Sequence, residues 1–243
     1  MPIISNEFWH LLDQFLLKSH VLAGMIGLIV APLAMAVTKG GVWHRRFGKL
    51  FFWMMTWILL SVIGLAFFRF SFFLTIIAIL SFYAAFTGYR VLYHKNPQKG
   101  AGPTAIDWAG SIIALVSGVG MFAVGIASLA MPGSMGLVPY GVGSVLGIVF
   151  GLNLAASAIF DLRRFVKPST DRSQWLYDHI NRMSSAFIAM LTAFLVQQGS
   201  RFMPVDWAWV LWVAPGVIGG TLIARYITQF RARKQHTLVK VGA

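Results

Sequence analysis

Long uncharged apolar runs separated by short charged segments set the pattern of this chain. The longest run, between Asp107 and Asp161, holds 53 consecutive residues without a charged side chain. A charge at the centre of a bilayer costs about 3 kcal/mol or more, and about 20 apolar residues cross its hydrocarbon core as a helix, so these runs predict membrane spans. The pattern places helices at about Ser19–Val37, Phe47–Phe68, Phe70–Tyr93, Asp107–Ala130, Val138–Phe160, Asp178–Gly199 and Asp206–Ile227. The 53-residue run is too long for one span, and Met131-Pro132-Gly133-Ser134-Met135-Gly136 is a turn signal that divides it. Only Arg69 separates the second helix from the third. An unbroken helix there would be about twice the hydrocarbon thickness, so a tight turn is expected. The predicted fold class is therefore all-α, a polytopic bundle of about seven transmembrane helices.

Residues 19–230 form the predicted transmembrane domain, flanked by an outer-surface amphipathic segment, 1–18, and a basic cytoplasmic tail, 231–243. In the first flank Phe8, Leu11, Leu12 and Phe15 recur at helical spacing after a candidate cap at Ser5 or Asn6, which fits a short surface helix or an extension of the first span. Glu7 and Asp13 precede Lys18, the wrong charge order for a cleaved signal peptide.

Charge gives an independent test of the helix count. Seven spans put Lys39, Arg45, Arg46, Lys49, Arg90, Lys95, Lys99, Arg163, Arg164, Lys167, Arg172, Arg182, Arg225, Arg231, Arg233, Lys234 and Lys240 on one side, 17 of the 20 basic residues. Lys18, Arg69 and Arg201 are left for the other. Basic residues favour the cytoplasmic side, so the N-terminus is expected outside and the C-terminus inside. The net charge of +13 then reads as topology and contact with anionic lipid headgroups in the bilayer, and not as a nucleic-acid surface. Arg163, Arg164 and Lys167 are expected in a plain inside-facing loop.

Gly143, Gly147, Gly151 and Ala155 form a small-xxx-small series that lets the fifth helix approach a neighbour, within the chain or in a homo-oligomer. Trp9, Trp43, Trp108, Trp175 and Trp207 fall near predicted helix ends, the level at which aromatic rings anchor in headgroups.

The chain has no cysteine, which excludes disulfides, thiolate-ligated haem, iron–sulfur clusters and sulfur-ligated zinc. Polar residues concentrate near the predicted cytoplasmic helix ends: His44 with Arg45 and Arg46, Tyr89-Arg90 with His94, Asp107, Asp161, and Asp178-His179 with Arg182. Ionisable groups facing a bundle interior are usually paired and often functional. Phosphate-binding glycine loops, dinucleotide fingerprints, His-Glu-x-x-His and nucleophile elbows are all missing from the sequence.

His20 and Gly24, then Lys39-Gly40-Gly41 and His44-Arg45-Arg46-Phe47-Gly48-Lys49, start a set of motifs. Gly88-Tyr89-Arg90, Asp107-Trp108, His179-Ile180-Asn181-Arg182-Met183 and Thr192-Ala193-Phe194-Leu195-Val196 continue it. Over roughly His20 to Ile223 the chain resembles an uncharacterised family of predicted bacterial multi-pass membrane proteins, with His-Arg-x-x-Gly after the first helix. Ser184 and Ser185 depart from the small residues, glycine included, expected there. The resemblance implies the architecture and a bacterial inner membrane, and no mechanism.

Three classes of function fit the residues. A haem b or divalent-metal site would use His44, His94 and His179 as ligands, with Asp107 or Asp161 at the metal site accepting from the far ring nitrogen of a histidine and Arg45 and Arg182 beside the cofactor. A metal-dependent hydrolase is a variant of this class, lacking the usual His-x-x-x-His pair. A small-solute transporter would divide the chain into two three-helix units around the fourth helix, with His44 and His179 opening equivalent helices and Asn153 and Ser157 lining a neutral path. A structural or accessory membrane subunit would instead have Asp161 and Asp178 pairing arginines and the histidines satisfied by backbone carbonyls.

Overall fold

The computed structural model describes residues 2–95, 102–131, 141–199, 201–204 and 207–241. Among them are seven α-helices and no strand: α1 Pro2–Ala36, α2 Val42–Leu65, α3 Phe72–Arg90, α4 Ala105–Ala130, α5 Val142–Val166, α6 Gln174–Gly199 and α7 Ala208–Val241, with a 3-10 turn at Val91–Tyr93. Each helix expected from the uncharged runs is present. All but α3 are long and apolar enough to cross a membrane, six helices in all, while the described apolar stretch of α3, Ile77–Tyr93, is shorter.

Several boundaries differ from expectation, each for a local reason. No break separates residues 2–18 from the first span, because the helical spacing of Phe8, Leu11, Leu12 and Phe15 runs on into α1. The basic segment from Arg231 continues α7 as helix to Val241. Arg163 and Arg164 belong to the last turn of α5 and not to a loop. The 53-residue run is divided between α4 and α5, and Pro132 to Gly136, the expected turn, lie outside the described residues, as does Asp206.

Between α2 and α3 the expected tight turn is fixed twice. Ser71 caps α3, its hydroxyl accepting from the Leu74 amide at 3.4 Å. Arg69 grips Asp13 of α1 through two guanidinium nitrogens, Nε at 2.8 Å and Nη2.

The helices pack mainly as α1 on α2, α3 on α6, and α4 on α5. The shortest helix is the most central, since α3 also touches α2, α4 and α5. Val30, Phe51, Met55, Ala85, Ala186 and Met190 form one core between α1, α2, α3 and α6. Tyr83, Ala114, Leu154 and Ala158 form a second between α3, α4 and α5. Among the described residues the outermost helix, α7, packs mainly on α6, with no residue of Trp209–Ala232 buried. In contrast α5 and α6 are not packed helix against helix.

Glycines bring α4 and α5 into backbone contact. A Cβ at Gly151 would lie 2.5 Å from the Phe122 nitrogen, and one at Gly118 would lie 2.6 Å from the Ala155 nitrogen. Ser144 donates to Ser128 at 2.9 Å within the same buried seam. The small-residue series therefore serves a contact inside the chain. Gly147 and Gly151 are covered by α4, so an oligomer through them would first have to displace that helix.

The two halves are not equivalent. The first pair, α1 and α2, packs closely, whereas its counterpart under the two-unit expectation, α5 and α6, does not. Asn153 is exposed on α5.

Candidate functional site

Four helix ends meet where the polar residues gather: the C-termini of α3 and α5 and the N-termini of α4 and α6. Helical spacing aims the side chains. Tyr83, Thr87 and Arg90 stand at i, i+4 and i+7 on α3, Asp107 and Ser111 at i and i+4 on α4, Asp161 and Arg164 at i and i+3 on α5, and Asp178 and Arg182 at i and i+4 on α6.

Asp107 anchors the α4 corner and is 3% exposed. Its two oxygens accept from Arg90 Nε and Nη2, each at 2.7 Å, a forked pair. Its Oδ2 also accepts from the Thr104 amide at 2.8 Å and the Thr104 hydroxyl at 2.7 Å, which ties the first turn of α4. His94 Nε2 lies 3.2 Å from the same oxygen.

A reciprocal pair of ion pairs bridges α5 and α6. Arg182 of α6 donates to Asp161 of α5 at 2.7 Å, and Arg164 of α5 donates to Asp178 of α6. Although Asp178 and Arg182 sit four apart on one helix, both reach across. Gln174 supports Asp178 at 2.9 Å. Beneath them the Tyr83 hydroxyl donates to Asp161 at 2.6 Å and lies 3.0 Å from the Ser111 hydroxyl, carrying the network into the buried interior. Because that proton goes to the carboxylate, Ser111 is the donor to Tyr83.

These long bridges span the gap that α5 and α6 leave, and a cavity of about 340 Å³ occupies it. Its wall includes Arg90, His94, Asp107, Asp161, Arg164 and Arg182, with Phe86, Phe165 and Trp175 as its aromatic part. Lys95 stands over the Trp175 ring at 4.5 Å. Trp175 is thus a cavity wall, in place of the headgroup anchor expected. The volume is at the small end of the range for ligand sites, about 300–1,000 Å³.

His44 and His179 stand together, outside the lining of this cavity. Their ring centroids are 6.2 Å apart, nearly perpendicular. His44 Nδ1 meets the Ala34 carbonyl at 2.9 Å, and His179 Nδ1 meets the Gly88 carbonyl at 2.8 Å. A carbonyl only accepts, so both imidazoles carry the proton on Nδ1. Each closes a carbonyl in the last turn of a helix, α1 or α3, where intrahelical donors run out. Gly88 makes the second contact possible, because a Cβ there would lie 2.9 Å from Arg182 Cβ and 3.0 Å from Met183 Sδ.

The sequence-predicted residues therefore form two groups. Arg90, His94, Asp107, Asp161, Asp178 and Arg182 converge on the cavity, while His44 and His179 pair beside it. Arg45 is exposed and lines neither. His94 is held at Asp107 and does not join the other two histidines, and among the described residues no group of three or more His, Asp or Glu side chains is arranged to hold a metal ion. Far along the bundle, His20 Nδ1 meets Ser61 at 2.9 Å. Sequence reading missed Tyr83, Ser111, Arg164 and Trp175. The signal for Tyr83 was its place two turns before Arg90 on one face of α3.

Comparison with protein-family models, curated proteins and solved structures finds no match to this chain.

Proposed function

We propose that this chain is a multi-pass protein of a bacterial inner membrane, with its N-terminus outside and its C-terminus cytoplasmic, and that the cavity between α5 and α6 binds a small polar or amphipathic molecule. Seven successive helices, six of them of spanning length and α3 with 19 residues, and the gathering of 17 of 20 basic residues on one predicted side support the placement. One observation carries the binding role: four helix ends build a charged cavity held open by side chains that reach across it. Asp107, Asp161 and Asp178 each hold a guanidinium, an arrangement that suits binding or carriage of a solute.

The natural absence of cysteine makes the test direct. Single cysteines at Thr170, in the cavity wall, and at Arg69, at the opposite end, would be exposed to a membrane-impermeant maleimide. Thr170→Cys is expected to label only in inside-out vesicles and Arg69→Cys only in spheroplasts; the reverse pattern overturns the orientation. Native mass spectrometry of the purified full chain should show a bound small molecule that cavity-filling Thr87→Trp removes. Absence of any such mass from the unaltered protein counts against the binding role.

The His44–His179 pair supports a second reading, a haem b or divalent-metal site. With each Nδ1–H spent on a carbonyl, each Nε2 lone pair faces away from that bond, the arrangement that orients metal-ligating histidines. Absorption spectra, oxidised and reduced, together with elemental analysis would decide it. A band or stoichiometric metal lost in His44→Ala and His179→Ala supports the site, and a colourless, metal-free protein ends it.

A further inference from the structure

The charges of the cavity wall narrow what it can hold. Five cations, Arg90, Lys95, Arg164, Arg172 and Arg182, face four carboxylates, Asp107, Asp161, Asp171 and Asp178. The carboxylates do not exhaust the cations. A guanidinium has five N–H donors. Among the described residues Arg164 spends only Nη1, on Asp178, and Arg182 only Nη2, on Asp161 and the Ser157 carbonyl. Arg90 spends Nε and Nη2 on Asp107 and Thr104. Arg172 is exposed at the rim and makes no ion pair with a described residue. Lys95 is likewise exposed, with its ammonium over Trp175.

Uncommitted donors from several arginines around one space match an anion with several oxygens. A carboxylate is satisfied by one guanidinium fork, whereas a phosphate group offers oxygens in a tetrahedron and can engage several. The apolar part of the wall, Phe86, Val91, Phe165 and Trp175, adds surface for the carbon skeleton that an ester carries. We propose that the cavity binds a phosphate ester, with Arg164 and Arg172 as its principal contacts. The proposal rests on the ligand-binding reading above and names the class of ligand. Two sources share this chemistry, a phospholipid headgroup at the inner leaflet and a soluble phosphate ester from the cytoplasm.

Calorimetric titration of the purified full chain in a phosphate-free detergent would test it, with dioctanoyl phosphatidylglycerol, glycerol 3-phosphate and inorganic phosphate as probes. At least one probe should bind once per chain, about tenfold more weakly in Arg164→Gln, or about 1.4 kcal/mol. Arg172→Gln disturbs no described ion pair, so it guards against a folding defect, and it should weaken binding severalfold. Lys49→Gln, basic and outside the cavity lining, should bind as the unaltered chain does. Binding of the lipid alone assigns the headgroup, and binding of the soluble probes assigns the free ester; both support the proposal. No binding by any probe overturns it, as does equal weakening by Lys49→Gln, the mark of diffuse charge attraction. If Thr87→Trp still displaces a copurifying molecule while every phosphate probe fails, the cavity is a binding site for a different class and only this inference falls.

Discussion

The two sides of α5 hold their neighbours by opposite means. Toward α4 the contact is close and made largely by backbone, with Gly118, Gly125 and Gly151 leaving no room for another carbon. Toward α6 the contact is made by long charged side chains across a cavity, and the helices themselves stay apart. A glycine seam gains dispersion from every atom pair and tolerates no addition. A pair of bridges fixes distance while leaving space, and space is what a ligand needs. One helix thus serves as a fixed wall on one face and as the frame of a site on the other.

Substitutions along α5 and its neighbours should reproduce this contrast in thermal unfolding of the purified protein. Gly151→Val places a side chain where the Phe122 backbone lies, which no rotamer relieves, and should cost about 3 kcal/mol or more. Unaltered melting would mean the seam is looser than described. Arg182→Leu strands a carboxylate that is largely buried, a loss of about 3 kcal/mol, and Asp161→Leu in the same chain should recover most of it. Failure of the second substitution to rescue would show that the pair does not act as a unit. Tyr83→Phe removes a hydrogen bond to a charged acceptor and should cost about 1.5 kcal/mol, with the cavity itself retained. Smallest of all, Gly120→Ala on α4 meets open space and should stabilise the helix by about 0.5–1 kcal/mol, opposite in sign to any change at Gly118 two residues away.

Helix number and approximate boundaries were legible because lack of charge over about 20 residues is a demand of the bilayer and not of any particular partner. Arg90, His94, Asp107, Asp161, Asp178 and Arg182 were legible too, since each stood near a predicted helix end, whereas Tyr83 in the middle of α3 was not. The kind of partner, arginine for Asp161 and Asp178 and backbone carbonyl for histidine, was one of the readings, but which residue pairs with which was not legible. Asp178 and Arg182 have the spacing of a pair within one helix, and only the placement of α5 sends them across to Arg164 and Asp161. The histidines had the residue type of ligands, yet His94 went to Asp107 while His44 and His179 met helix carbonyls. Helix order around a bundle decides such outcomes, and apolar stripes of similar composition do not encode it. The glycine series announced a close contact but could not name α4 as the other side.

With no residue of Trp209–Ala232 buried and α6 as its main neighbour among the described residues, α7 adds little to what the first six helices have already made. Both cores, the glycine seam and every wall of the cavity come from residues before Met190 is passed. In the order of synthesis, the ribosome has therefore delivered the working parts of the molecule while the final helix is still to be translated, and a chain released before α7 is expected to hold its cavity intact.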